Sequence, residues 1–245
     1  MMFYGVDGCP GGWIGVGLDA SGASHTHQAA SFPELMRALR SPARVLVDMP
    51  IGLPSATIPE RLCDTAARRL LGRRGSSVFP VPSRAALAAQ DYLEACDINA
   101  AELGRRLSKQ TWNISGKIRE LDDYLAAETP PCPVQEMHPE VAFAVLNGGV
   151  ALADSKKTPA GRAARLALLR AHATDADAIA SKVRQNHARR QVADDDILDA
   201  LVGAVTARFD AALETLPDAP IHDERGLRMA IMQPPRASVV EARHT

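Results

Sequence analysis

The feature that most constrains this chain is its beginning. Residues 3–19 hold two short apolar runs on either side of a glycine- and proline-rich cluster at residues 8–12. This pattern predicts a β-hairpin, because Gly and Pro favour the tight turn that joins two antiparallel strands. Asp7 lies where the first strand meets the turn. A carboxylate at the end of an apolar strand is costly to desolvate, which indicates a functional role.

A second strand ends in the same way. Residues 45–47 form a short apolar run that Asp48, a proline and a glycine follow. Such a run is typical of a strand buried on both faces of a sheet. Residues 25–29 predict a weak third strand, and residues 134–137 predict a short strand that carries Glu136. The strands alternate with helical patterns, so the sequence predicts an α/β fold.

Helical spacing of apolar residues and end signals such as Ser31 predict most of the remaining elements. We expect helices over residues 31–40, 59–72, 83–95, 100–109, 114–127, 139–147, 160–171 and 176–190, and one that begins at residue 194. Residues 75–84 hold glycine and prolines that break a helix and predict a loop, and residues 227–231 predict a peripheral strand. We expect one domain over residues 1–245 with a mostly helical insertion at residues 55–132.

The last predicted helix carries the densest group of acids. Asp196 and Asp199 stand three residues apart, so both carboxylates project from one side of its first turn. With Asp7 and Asp48 they would form a cluster of four acids, whose mutual repulsion in a buried cleft calls for cations. Hard oxygen ligands suit Mg²⁺ or Mn²⁺. Acids at a helix start also cap the helix without any metal, and an Asp at a strand end is a common turn residue.

The net charge is −1, but basic residues are concentrated in two segments. Residues 60–120 hold eleven basic against seven acidic residues, and residues 160–192 hold seven against two. Two basic segments beside an acidic centre predict a phosphate-binding surface. For any single arginine, a solvated helix face explains the charge equally well.

Cysteine usage and hydropathy predict where the chain works. The four cysteines, Cys9, Cys63, Cys96 and Cys132, are scattered without a metal-binding spacing, which predicts reduced, structural thiols. No segment approaches the ~18 uninterrupted apolar residues of a membrane span, and the start has no basic run typical of a signal peptide. We therefore expect no membrane association and a cytoplasmic location. The oligomeric state is not readable from the sequence.

Seven motifs in order along the chain resemble the DUF429 family, a group of predicted ribonuclease H-like nucleases. They are GVDGCPGGW at residues 5–13, VDMPIGLP at 47–54, RLCDTAAR at 61–68, SSVFP at 76–80, EMHPE at 136–140, KKT at 156–158 and DDILDA at 195–200. The resemblance implies a ribonuclease H-like fold, in which helices flank a mixed five-stranded sheet whose first three strands are antiparallel. It also implies a nuclease centre of the kind found in RuvC-like resolvases.

The resemblance implies roles for particular residues of this chain. Asp7, Asp48, Asp196 and Asp199 match the metal ligands and catalytic acids, and Glu136 matches a family acid that would bind metal or orient water. Two Mg²⁺ or Mn²⁺ ions would assist hydrolysis of a phosphodiester bond in RNA, an RNA–DNA hybrid or structured DNA. Basic residues that we expect to contact this substrate are Arg61, Arg68, Arg69, Arg84, Lys156 and Lys157.

Two other functions fit the same sequence pattern. Actin-like and sugar-kinase-like phosphotransferases share the sheet and begin with an Asp-Gly hairpin that holds nucleotide phosphates, although no second Gly-rich phosphate loop is evident here. The third hypothesis, after the nuclease and the phosphotransferase, is a nucleic-acid-binding protein that keeps the fold without catalysis. For Arg61 and Asp64, an ion pair on a helix surface, which contributes little to stability, is an equally good explanation.

Overall fold

The hairpin at the start of the chain forms the centre of a mixed sheet. The computed structural model describes residues 1–236. The strands of the sheet are β1 (Met2–Cys9), β2 (Gly12–Asp19), β3 (Ser24–Ala29), β4 (Pro42–Val47) and β5 (Val134–Glu136). They pair in the order β3-β2-β1-β4-β5, in which β1, β2 and β3 are antiparallel and β4 and β5 run parallel to β1. The expected α/β class and the mixed sheet with three antiparallel strands are confirmed.

Helices and a second, two-stranded sheet complete the described chain. The helices are α1 (Phe32–Ala38), α2 (Leu62–Leu71), α3 (Arg84–Leu87), α4 (Tyr92–Leu103), α5 (Lys109–Ala127), α6 (Pro139–Leu146), α7 (Pro159–Arg170), α8 (Ala176–Asn186) and α9 (Asp194–Ala207). Short 3-10 helices span Gly72–Ser77 and Asp210–Ala212, and strands β6 (Glu214–His222) and β7 (Arg228–Gln233) pair with each other. No helix within residues 1–236 has the length and apolar character that a membrane crossing requires.

The two faces of the five-stranded sheet carry different helices. Side chains alternate between faces along a strand, so Gly5 and Asp7 of β1 share one face while Tyr4 and Val6 share the other. Helix α9 packs on the Gly5 face, and its apolar residues join those of β2 in one hydrophobic core. Helix α1 packs on the opposite face, where Phe32 meets Trp13 edge to face with ring centroids 5.1 Å apart.

Two glycines let α9 approach the sheet closely. A Cβ atom at Gly5 would lie 2.0 Å from the carbonyl oxygen of Ala200 and 2.3 Å from the nitrogen of Ala204. On the helix side, a Cβ at Gly203 would lie 2.8 Å from the Cα of Gly5. No side chain fits between the backbones at this crossing. The contact therefore sets the distance between β1 and the first turns of α9.

The described chain divides into two compact units. Among the described residues, the first comprises Met1–Asp48, Pro130–Glu214 and residues 232–236, and it contains the five-stranded sheet with α1 and α6 to α9. The second comprises Met49–Thr129 and Thr215–Ile231, and it contains α2 to α5 and most of β6 and β7. A small apolar core around Cys96 and Leu107 lies within the second unit. No disulfide joins the four cysteines.

The second unit buries an ion pair at the start of α2. The Arg61 guanidinium donates to Asp64 Oδ1 at 2.5 Å, to the Gly52 carbonyl at 2.9 Å and to the Ile51 carbonyl at 3.2 Å. Arg61 is 4% exposed and Asp64 is 5% exposed. This pair is not the surface pair that the i, i+3 spacing suggested, because the preceding loop folds over it.

The helix boundaries within the second unit differ from those expected. A helix over residues 83–95 is wrong, because Asp91 accepts hydrogen bonds from the N–H groups of Leu93 and Glu94 and begins α4 there. Gly104, in the left-handed conformation, ends α4, and Ser108 caps α5. The ends of these helices are therefore set by the capping residues and not by the spacing of apolar residues, which predicted helices over 83–95, 100–109 and 114–127.

Two further elements were not expected. Strand β6 was missed because its sequence contains two prolines, which a strand tolerates only in edge positions such as those of a two-stranded sheet. The first three residues of the loop predicted over 75–84 belong to the 3-10 helix Gly72–Ser77. This tighter helix occurs in short pieces and tolerates glycine there. The strand expected in the tail exists as β7, but its residues Met229 to Met232 are buried rather than peripheral.

The Gly5 crossing leads to a first prediction. Gly5→Ala should destabilise the protein by about 3 kcal/mol, because the added methyl meets backbone that cannot rotate away. Gly15→Ala is the matched control on the neighbouring strand, since its Cβ would meet only Leu35 and Leu39 side-chain atoms at 3.4 Å or more. The control should unfold within about 1 kcal/mol of the wild type. Urea unfolding measures both, and equal stability of the two variants would contradict the close approach.

The buried ion pair leads to a second prediction. Asp64→Asn should cost about 3–5 kcal/mol in unfolding free energy, because it removes the carboxylate charge that pairs with the buried Arg61 guanidinium. Asp97→Asn removes an exposed partner of Arg106, whose side chains are 55% and 69% exposed. That control should change stability by less than about 1 kcal/mol. Thermal or urea unfolding that ranks the two variants equally would contradict the burial of Arg61 and Asp64.

Candidate metal centre

Asp7 and Asp48 lie side by side at the ends of two parallel strands. Val6 of β1 pairs with Val47 of β4, and the N–H of Asp48 donates to the Val6 carbonyl at 2.8 Å. Asp7 is the next residue of β1, and Asp48 is the first residue after β4. Because paired residues of neighbouring strands point to the same face, both carboxylates face the side of the sheet that α9 covers.

Helix α9 brings a third carboxylate to the same place. Its crossing at Gly5 holds the backbone of Ala200 against β1, so the preceding residue, Asp199, lies beside Asp7. Asp7, Asp48 and Asp199 each offer a carboxylate oxygen, and these oxygens all lie within 4.8 Å of one another. Asp7 and Asp199 are buried, and Asp48 is partly exposed. We call these three residues the carboxylate cluster.

One oxygen of the carboxylate cluster has no partner. Asp199 Oδ1 is buried and accepts no hydrogen bond from any residue among 1–236. A buried carboxylate oxygen that lacks a donor carries a desolvation cost of about 1–3 kcal/mol or more. Native proteins rarely keep such an atom unless water or an ion completes it. The carboxylate cluster thus has both the donor type and the vacant oxygen that a hard divalent cation requires.

Burial and the closeness of like charges raise the pKa values of all three aspartates in the carboxylate cluster. Burial raises the pKa of Asp7 well above its usual range, and the charges of Asp48 and Asp199 raise it further. Burial likewise raises the pKa of Asp48. Burial raises the pKa of Asp199 to about 6, although the Lys156 ammonium partly opposes the shift. At a separation of 4–5 Å each pair of like charges costs roughly 3–4 kcal/mol with an effective dielectric constant of about 20.

Lys156 is the cation in contact with the carboxylate cluster. Its Nζ donates a hydrogen bond to Asp199 Oδ2 and lies 3.8 Å from Asp195 Oδ2. Burial lowers the pKa of Lys156, but the charges of Asp199, Asp7 and Asp48 outweigh burial and raise the pKa overall. Lys156 is therefore protonated. One positive charge does not balance three carboxylates, so the ionised cluster keeps a net negative charge.

The other acids of α9 have different surroundings. Asp196, expected as a metal ligand, lies outside the group of three and accepts a hydrogen bond from the Ala193 N–H at 2.7 Å, which caps the helix. Its charge still raises the pKa of Asp7, so it lies near the carboxylate cluster. Asp194 pairs with Arg184 and Arg189. Of the two aspartates three residues apart, the structure places Asp199 in the cluster and Asp196 at the cap.

Glu136 lies close to the carboxylate cluster from the neighbouring strand. It pairs with Val47 across β4 and β5, is 5% exposed, and raises the pKa of Asp48. Glu140, at the start of α6, raises the pKa of both Asp48 and Asp199. Glu136 thus occupies a position from which it acts on the cluster electrostatically.

Sequence reasoning assigned no role to the arginine behind this site. Arg165 is fully buried and donates to Glu140 Oε1 at 2.6 Å. It also donates to the carbonyl oxygens of Asp154 and Gly161, which flank the loop that carries Lys156. Arg165 therefore holds this loop in place. In the sequence, only Glu140 of this ion pair was singled out, as part of the EMHPE motif at residues 136–140. Arg165 was not, because the sequence does not distinguish a buried arginine from a solvated one.

The basic residues expected to contact substrate have varied surroundings. Lys157 is exposed near Lys156 in the first unit. Four others belong to the second unit and are Arg61, Arg68, Arg69 and Arg84. Arg61 is buried against Asp64, Arg68 donates to the Val78 carbonyl, and Arg69 is exposed. Arg84 binds Asp122 and Asp223.

A family comparison matches residues 5–224 to a model described as "Protein of unknown function (DUF429)". The match covers most of the chain. The chain belongs to the DUF429 family. Comparison with curated proteins gave no significant match, and neither did comparison with solved structures. Every residue of the carboxylate cluster and Lys156 lie within the part that matches the DUF429 model.

The raised pKa values lead to a third prediction. The folded protein binds the protons of the carboxylate cluster more tightly than the unfolded chain does, so their stabilising contribution is complete below about pH 4. It is lost as the pH rises through the folded pKa, which is about 6 for Asp199. A divalent cation needs the ionised carboxylates, so Mn²⁺ should stabilise this DUF429 protein more at pH 7.5 than at pH 5.

Thermal unfolding of the metal-free protein with and without Mn²⁺ measures this effect. At Mn²⁺ concentrations about 100-fold above Kd, we expect the midpoint at pH 7.5 to rise by roughly 5 °C or more. Asp199→Asn should abolish the rise. Asp177→Asn, which removes an exposed partner of Arg170, should retain it. A rise of equal size at the two pH values, or in Asp199→Asn, would place the metal elsewhere.

Proposed function

We propose that this protein is a metal-dependent hydrolase that cleaves phosphodiester bonds in nucleic acid. The observation that carries the proposal is the convergence of Asp7, Asp48 and Asp199, with Asp199 Oδ1 buried and without a donor among the described residues. Carboxylates brought this close in a buried site repel one another strongly, and a binding protein without metal chemistry has no need of them.

The donor set favours particular cations. Three carboxylates and no nearby thiol or imidazole in the cluster suit Mg²⁺ or Mn²⁺ better than zinc or copper. When bound, such a cation lowers the pKa of a water molecule and neutralises charge on a phosphoryl oxygen. Asp7, Asp48 and Asp199 would hold it. Glu136 and Asp196, whose charges raise the pKa of Asp48 and Asp7, would accept hydrogen bonds from water at the edge of the site, with the helix cap at Asp196 retained.

Lys156 has a second role in this proposal. It offsets part of the negative charge of the carboxylate cluster, and its side chain remains 32% exposed. An ammonium group on a flexible stem can turn from Asp199 to a phosphate oxygen once a cation takes its place. Lys156 would then bind the phosphate next to the scissile bond. The buried Arg165 keeps the loop of Lys156 at the site during this exchange.

Nucleic acid is the substrate class that the charges favour. The segment 160–192 carries seven basic against two acidic residues and belongs to the same unit as the carboxylate cluster. Six of the seven reach the surface, since only Arg165 is fully buried, against Glu140. A positive surround draws in a polyanion and holds it beside a centre that is itself negative. The resemblance of the DUF429 motifs to ribonuclease H-like nucleases points the same way.

The proposed function leads to a fourth prediction. With Mg²⁺ or Mn²⁺, the protein should cleave at least one of a single-stranded RNA, an RNA–DNA hybrid and a four-way DNA junction, and EDTA should stop cleavage. Asp7→Asn and Asp199→Asn should each lower the rate by about 100-fold or more, because each removes a charged ligand. Asp177→Asn should cleave like the wild type. Lys156→Gln should lower the rate even at saturating metal.

Two outcomes would overturn the proposal. Cleavage that survives in Asp7→Asn and Asp199→Asn would come from a contaminant or another site. Stabilisation by ATP, with phosphate transfer and no cleavage of any of the three nucleic acids, would support a phosphotransferase instead. Gel assays of cleavage and thermal unfolding with ATP distinguish these cases.

A further inference from the structure

Residues 187–193, between α8 and α9, form a basic segment that we call the arginine loop. The apolar spacing predicted that α8 would continue to residue 190, but the helix ends at Asn186. His187 has extended backbone, with φ −133° and ψ 131°. Arg189 and Arg190 therefore lie in a loop that leads directly into α9, rather than on a solvated helix face.

Hydrogen bonds hold the arginine loop at both ends. Arg184 donates to the carbonyls of His187 at 3.0 Å and Val192 at 2.6 Å, which closes the loop on itself. The N–H of Gly11, in the hairpin turn, donates to the Gln191 carbonyl at 2.8 Å. The loop is thus attached to the turn that follows Asp7 and to the start of the helix that carries Asp199. Its position is fixed relative to the carboxylate cluster.

The arginine loop has a concentrated positive charge. The loop itself contributes Arg189 and Arg190, and no acidic residue occurs from 178 to 193. Lys182 and Arg184 lie on the preceding helix α8, where Arg184 pairs with Asp194. Arg190 is exposed and makes no hydrogen bond or ion pair with any residue in the described part of the chain. Arg189 contacts Asp194 at 3.1 Å, but its side chain is 74% exposed, so the pair is weak and readily exchanged.

The composition of the loop distinguishes among possible anionic partners. A membrane surface is bound by basic residues together with exposed apolar side chains that insert between lipids. The only large apolar residue of the arginine loop, Val192, is fully buried. Arginine forks match the oxygens of a phosphate geometrically, and a row of phosphates beside a phosphodiesterase centre belongs to nucleic acid.

We propose that the arginine loop binds the phosphate backbone of the nucleic acid substrate, with Arg190 and Arg189 in contact with phosphates a short distance from the scissile one. This inference rests on the proposed function and assigns the surface that positions the substrate. Helix α9 links the two sites, since the loop precedes its first turn and the carboxylate cluster includes its sixth residue. The loop supplies affinity without a base contact, so it favours no particular sequence.

Binding in EDTA tests the proposal separately from cleavage. The probes are fluorescein-labelled 20-nucleotide single-stranded RNA, a 20-base-pair RNA–DNA hybrid and a 20-base-pair DNA duplex, measured by fluorescence anisotropy over a range of salt concentrations. For the probe bound most tightly, Arg189→Ala/Arg190→Ala should weaken binding about tenfold or more at low salt. The slope of log K against log salt should become shallower by about 1 for each phosphate that the double variant no longer binds.

Arg37→Ala/Arg40→Ala is the charge-matched control, because it also removes two exposed arginines. Arg37 is exposed on α1, which packs on the opposite face of the sheet from α9. This variant should bind with wild-type affinity and salt dependence. Arg190→Lys should retain most of the affinity of the wild type, because it keeps the charge. All four proteins should unfold at similar temperatures, since both loop arginines are exposed.

The outcomes separate this inference from the proposed function. Equal loss of affinity in Arg37→Ala/Arg40→Ala and Arg189→Ala/Arg190→Ala, unchanged binding in Arg189→Ala/Arg190→Ala, or no binding of any probe by the wild type would each overturn the role of the loop. Metal-dependent cleavage that needs Asp7 but not the loop arginines would leave the proposed function standing alone. Binding that needs the loop, without cleavage or metal binding at the carboxylate cluster, would leave the loop standing and remove the nuclease.

Discussion

The close approach of helix α9 to strand β1 is the contact on which the candidate site depends. Gly5 and Gly203 meet backbone to backbone, and a Cβ on Gly5 would lie 2.0 Å from the Ala200 carbonyl oxygen. Asp7 lies two residues after Gly5 on β1, and Asp199 directly precedes Ala200 on α9. A larger side chain at the crossing would separate these carboxylates by the width of that side chain. A packing requirement near the middle of the strand therefore determines the geometry of charges at its end.

The same arrangement explains why the site needs counter-ions. Burial and mutual repulsion raise the pKa of Asp7 and Asp48, and one ammonium, that of Lys156, contacts the carboxylate cluster. Its loop is tied down by Arg165, which is itself neutralised by Glu140. A second buried ion pair, Arg165–Glu140, thus supports the loop that carries the first, Lys156–Asp199. The Asp199 carboxylate pairs with Lys156 through Oδ2, whereas its buried Oδ1 accepts no hydrogen bond from the described residues.

Much of the fold and part of the site could be predicted from local sequence. The hairpin follows from its Gly and Pro turn, and the ends of β1 and β4 follow from short apolar runs that stop at Asp7 and Asp48. Helix boundaries between residues 83 and 109 were harder, because caps such as Asp91 override apolar spacing. The prediction that α8 extends to residue 190 was wrong for a related reason. Arg184 donates to the carbonyls of His187 and Val192, beyond the helix, and so stabilises its earlier end at Asn186.

By itself, the sequence determined the α/β class, the positions of the strand-terminal acids and the family, because these depend on local patterns and ordered motifs. Only the tertiary structure decided that Asp199 joins Asp7 and Asp48 while Asp196 caps α9, since two carboxylates three residues apart differ only in how the helix is rotated against the sheet. It also decided which basic residues are buried. Arg61 and Arg165 have the same side chain as the exposed Arg190, and burial depends on residues far away in the chain.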